Sequence, residues 1–139
     1  MNRYNSEGYY DPTAYAALVR AGADARRLPH RPLVFICSPY AGDIERNTEN
    51  ARRYCRFAVS KNCIPVAPHL FFPQFMDEGD PEQRSLGISF GLVLQGKCRE
   101  VWVFGRVISE GMAAEIAKAK ARGLPLRYFN EHCREVVRR

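Results

Sequence analysis

"PLVFICSPYAGD", Pro32 to Asp43, is the stretch from which the fold follows. Leu33 to Cys37 form a short, unbroken apolar run, the pattern of a strand buried on both faces. Ser38, Pro39 and Gly42 then supply a hydroxyl, a fixed φ and a point where backbone can approach a ligand. Asp43 suits the cap of a following helix, and a helix N-terminus offers unpaired N–H groups to an anion. The loop lacks the Lys-Ser/Thr ending of a P-loop and the spacing of the dinucleotide glycine fingerprint. A purely structural turn accounts for it as well as a binding loop does.

Beyond that loop, strands and helices alternate. Asp43 to Asn62 carries a helical stripe through Ile44, Ala51, Tyr54, Cys55, Ala58 and Val59. "CIPVAP" (63–68) predicts a second strand, and "HLFFPQFMDEGDPEQ" (69–83) a loop rich in aromatics and acids. "RSLGISFGLVLQGK" (84–97) predicts a helix, although its glycines weaken it. "EVWVFG" (100–105) is a third strand, and "SEGMAAEIAKAKARG" (109–123) a third helix that Gly123 can close. "LPLRYF" (124–129) is a fourth strand and "NEHCREVVRR" (130–139) a closing helix. This order specifies an α/β chain: a flavodoxin- or Rossmann-like three-layer sandwich around a mainly parallel sheet of four or five strands. Residues 1–31 are expected to form an N-terminal extension with one helix, from about Thr13 to Ala21, ahead of a core domain over 32–139. In such sheets ligands bind beyond the carboxyl ends of the strands, at the switch point between the first and third.

The totals exclude several classes. With 139 residues, 46% apolar and 26% charged, this is the composition of one globular domain rather than of a disordered chain. No apolar run is long enough to span a bilayer, and no charged start leads into an apolar segment, so a cytoplasmic protein without membrane contact is expected. Five cysteines without a Cys-x-x-Cys spacing read as reduced, buried thiols. Three scattered histidines do not make a metal set, and no cofactor is expected. The net charge of +6 favours anionic partners or serves solubility alone. No aromatic residues interleave a basic run, so nothing supports a nucleic-acid partner beyond the charge itself.

After the third strand, "SEGMAAE" (109–115) holds the second informative loop. Ser109 is placed to cap the helix, with Glu110 and Gly111 in its first turn and Glu115 in its second. A capping box would need Glu or Gln where Met112 stands, so Glu115 is not explained as a capping acid. Glu115 borders the apolar stripe facing the sheet, and Gly111, Ala113 and Ala114 leave room beside it. The competing reading is a surface acid paired with Lys118 or Lys120.

At these residues the chain resembles the nucleoside 2-deoxyribosyltransferase superfamily, which includes deoxynucleoside 5′-monophosphate N-glycosidases and CMP hydrolases. More closely, it resembles a bacterial and phage branch of that group. The likeness runs over roughly residues 32–128: "VFICSPYAGD" with Asn47, Asn50, Ala51 and Tyr54, then "IPVAPHLFFPQF", "VWVFG" and "SEGMAAEIAKAKARGLP". Its most specific part is the family pattern Ser-x-Gly-x-x-x-Glu-x-x-x-Ala, met by Ser109, Gly111, Glu115 and Ala119. The resemblance implies cleavage of an N-glycosidic bond in a nucleoside or nucleotide, with Glu115 as nucleophile and a glycosyl-enzyme intermediate. It implies that Tyr40 orients that nucleophile or covers the sugar. Ser38, Ser109, Gly42 and Gly111 would hold a phosphate or sugar hydroxyls, and His69 and Phe71 the base side. Pro39, Asn47 and Met112 complete the expected substrate contacts. A homo-oligomer is implied as well.

Two acids of the family pattern are missing. Their positions fall on Gly91 and Arg99, which leaves Asp77, Glu78 and Asp80 as substitutes for protonating the leaving base. The alternative is therefore a non-catalytic protein that senses or sequesters a nucleotide, for instance a signalling one.

Overall fold

The computed structural model describes residues 30–137. The expected N-terminal extension and its helix lie outside them. Five strands and three helices follow in order: β1 (Leu33–Cys37), α1 (Ile44–Ser60), β2 (Ile64–Val66), α2 (Pro81–Gln95), β3 (Glu100–Phe104), α3 (Glu110–Ala121), β4 (Leu126–Phe129) and β5 (Glu135–Val136). The sheet order is β2-β1-β3-β4-β5, parallel except for β5. This is the flavodoxin-like order expected from the alternation of elements, and its switch point lies between β1 and β3.

Both sheet faces are covered, which explains the continuous apolar runs. Period-two alternation sends Val34, Ile36, Trp102, Phe104 and Phe129 to one face, where Tyr54 and Ala58 of α1 meet them. Phe35, Cys37, Val101 and Val103 point the other way, to Met112 and Ala119 of α3. On the α1 face, Phe104 stacks on Tyr54 at 4.2 Å and on Phe129 at 5.0 Å, an aromatic stack that fixes α1 against β3 and β4.

The predicted closing helix is instead a turn and the short antiparallel strand β5. Asn130 Oδ1 accepts from the backbone N–H groups of His132 and Arg134 at 2.9 and 3.0 Å. Cys133 adopts a φ of 62°, which no helix accommodates. The Asn side chain competes with the helical ladder and wins, and Arg127 then clamps Glu135 with two hydrogen bonds of 2.8 Å across the hairpin. Helix α2 begins three residues earlier than its pattern suggested, because Asp80 accepts from Glu82 N at 3.1 Å and Pro81 occupies the first turn.

Candidate active site

The loops after β1 and β3 converge at the switch point, and Glu115 lies beneath them in the second turn of α3. Its side chain turns inward, where Cys37 Sγ donates to Glu115 Oε1 at 3.5 Å. Cys37, the last residue of β1, is fully buried. Burial, followed by the Glu115 charge, raises its thiol well above the usual value, so it remains a protonated donor. Burial also pushes the Glu115 carboxyl up to about 7, against a smaller lowering effect of the Cys37 hydrogen bond. From the end of α2, buried Gln95 donates to the Glu115 carbonyl at 2.8 Å and accepts from Arg122 at 3.0 Å. Glu115 is thus tied to β1 through its carboxylate and to α2 through its backbone.

Next to Cys37, Ser38 Oγ and His69 Nε2 lie 3.2 Å apart. Burial lowers His69 to about 4, so the ring is neutral at ordinary pH. Tyr40 stands over it with ring centroids 5.6 Å apart. Its hydroxyl is raised by burial and then by the nearby charge of Glu78. Asn47 steadies this loop, donating to the carbonyls of Tyr40 and Ala41 at 3.0 Å each, while Gly42 takes a φ of 96° that favours glycine. Ser109 caps α3, its Oγ accepting from Met112 N at 3.3 Å. Gly111 is exposed, with open space where a side chain would stand.

Ser38, Tyr40 and His69 thus form one cluster, which Ser38 joins in sequence to Cys37, the partner of Glu115. Pro39 and Gly42 belong to the loop after β1, which Asn47 braces from the first turn of α1, and Ser109 and Gly111 to the start of α3. Met112 is 1% exposed and lies in the core beneath the site. Phe71 stands in an outer cluster, 5.3 and 5.2 Å from Phe72 and Phe75. Two acids of the loop are engaged locally: Asp77 accepts from Gly79 N at 2.9 Å, and Asp80 caps α2. Sequence reasoning missed Cys37 and Gln95. For Cys37 the available signal was strand alternation, which sends it to the face where α3 packs.

A cleft of about 510 Å³ opens across the same loops on the α1 side, lined by Pro39, Arg46, Asn47, Tyr54, Arg106 and Glu131 among others. It is not centred on Glu115, and the buried carboxylate marks the chemistry better than the larger opening does. Arg52, by contrast, pairs with Glu49 at 3.4 Å on the outside of α1. Among the described residues no group of three or more His, Cys, Asp or Glu is placed to hold a metal. No helix among them is long and apolar enough to cross a membrane.

Solved structures place this architecture among the 2-deoxyribosyltransferases by fold. The enzyme from the psychrotolerant bacterium Bacillus psychrosaccharolyticus, a biocatalyst for nucleoside synthesis, superposes with a TM-score of 0.57 and 16% identity over 76% of this chain and 77% of its own. The enzyme from Leishmania mexicana gives 0.50 and 17%, over 71% of this chain and 64% of its own, just under two thirds of its length. No curated protein matches. Over residues 32–129 the chain belongs to the family described as a Domain of unknown function, DUF7768.

Proposed function

We propose that this chain breaks the N-glycosidic bond of a nucleoside or nucleotide, with Glu115 as the nucleophile. The observation that carries the reading is a secluded carboxylate at the switch point, raised to about 7 and aimed by Cys37. The fold likeness and the Ser109–Glu115 spacing support it. The Glu115 carboxylate attacks the anomeric carbon, and the bond to the base nitrogen breaks with its electron pair leaving on the base. The departing nitrogen takes up a proton from water, relayed by Glu78, the loop acid whose charge reaches Tyr40. Water then cleaves the glycosyl ester, or a second base accepts the sugar. Ser38 and His69 bind sugar or base, and Arg46 and Arg106 draw a 5′-phosphate toward the cleft. The chain works as a homo-oligomer on a small-molecule nucleotide.

One observation favours the binding-only reading: Gly91, where the family pattern carries an acid, brings no carboxylate, and a side chain there would meet Pro68. Incubating wild type and Glu115→Gln with pooled nucleosides, deoxynucleosides and their monophosphates separates the two. Free base from wild type alone, read by liquid chromatography, is the expected result. A compound retained by both proteins without base release would establish binding without cleavage.

A further inference from the structure

Glu115 is held from two sides, and the hold on its backbone does more than join two helices. Gln95, the last residue of α2, is fully buried, and with Ser38 it makes up the buried polar side chains among the described residues. Its Nε2 donates to the Glu115 carbonyl at 2.8 Å, and its Oε1 accepts from Arg122 Nη1 at 3.0 Å. Within α3 that carbonyl already serves the helical ladder, so Gln95 takes its second lone pair. The same Arg122 nitrogen also donates to the Leu92 carbonyl of α2.

This network admits one arrangement. Arginine offers only donors and a backbone carbonyl only accepts, so the Gln95 amide cannot turn over while both partners are in place. Apolar side chains of the same shape would join two helices as well, without the cost of enclosing an amide. The amide instead reaches one particular carbonyl, that of the residue whose carboxylate meets Cys37. A thiol is a weak donor, and at 3.5 Å its bond to Glu115 is lost on a small displacement of α3 from the sheet.

We infer that Gln95, its amide fixed by Arg122, is a positioning residue for Glu115, holding α3 at the depth where the carboxylate meets the Cys37 thiol. The role rests on Glu115 as the proposed nucleophile, because a reacting group needs its placement set this closely. Fully buried, Gln95 acts through α3 and not on the substrate.

The test is the coupling between Gln95 and Cys37, read at the Glu115 carboxyl by carbon NMR titration of the full chain. Cys37→Ala raises the midpoint when the thiol is in contact. In Gln95→Met, which keeps the length and loses the donor, the same substitution is expected to move it less than about half as far. Arg122 is exposed, so Arg122→Ala supplies the same loss of coupling should Gln95→Met fail to fold. Arg122→Lys is expected to keep the coupling, since a single nitrogen makes both bonds. A purely structural bridge would lower the urea midpoint and leave the coupling whole. A full-sized Cys37→Ala shift in Gln95→Met and Arg122→Ala would therefore overturn the inference, as would a wild-type midpoint indifferent to Cys37→Ala. Base release gives a second readout: kcat should fall about tenfold or more in Gln95→Met with KM little changed. An unchanged kcat beside a lost coupling would overturn the inference too. Coupling in a wild type that releases no base would refute the glycosidase reading instead, and leave Gln95 as the residue that places Glu115.

Discussion

Glu115 ionises near pH 7 in the folded chain and near 4.5 once it is unfolded, so between those values the folded state holds the extra proton. The stability contributed by the neutral carboxyl is complete below about 4.5 and lost as pH rises through about 7, on the order of 3 kcal/mol in all. Glu115→Gln keeps the shape without the titration. Urea denaturation should find it more stable than wild type at pH 8 by a margin of that order, with little gap at pH 5. His69 runs in the opposite sense: its neutral ring favours the fold above 6.5, and that stability is lost as pH falls through about 4. In Glu115→Gln the opposing carboxyl slope is gone, so stability should climb through His69 up to about pH 6.5, and a flat profile above about 4.5 would contradict its burial. Cys37→Ala removes a donor from the carboxylate and should raise its titration midpoint further, as read by carbon NMR of the Glu115 carboxyl. Glu115, Ser38 and His69 were legible as residues, since identity and spacing single them out. Cys37 and Gln95 were not, because their roles exist only once strand parity and helix packing bring three separate elements together.

Among the elements, α2 holds the clearest stability prediction. Gly91 lies in its interior, and a methyl group there would meet Pro68 Cβ and Cγ at 3.5 Å, an ordinary contact. Gly91→Ala should therefore stabilise the protein by roughly 0.5–1 kcal/mol, seen as a higher urea midpoint at constant slope. A loss would mean that Pro68 cannot yield and that the site wall is tighter than its distances indicate. Asp80→Ala, by contrast, removes the α2 cap and should cost about 1 kcal/mol in the same measurement. The strands were readable from their apolar runs, and α1 and α3 from caps and stripes. The start of α2 was misplaced because Asp80-Pro81 sits inside an acidic stretch that reads as loop. The last element was misread because "EHCREVV" has helical composition, and only the side chain of Asn130, folded back on its own backbone, turns it into a hairpin.

For the molecule as a whole, the sheet order followed from the alternation of elements, because right-handed crossovers leave few ways to stack them. The exposure of Leu86, Phe90 and Val93 on α2 did not follow, since apolar residues in a sequence carry no label for which side finds cover. Charge was legible only as a total of +6, and the site gives that total a context. Between about pH 4 and 7, Glu115 and His69 are both uncharged, so an anionic nucleotide would meet no charge from either of them. If Glu115 is the nucleophile proposed, its ionisation above pH 7 readies it to attack but makes it repel a phosphate that approaches it. Affinity and reactivity thus pull in opposite directions across neutrality, and turnover of a phosphorylated substrate should peak near the pH at which Glu115 is half ionised, while an uncharged nucleoside should show no such decline on the alkaline side.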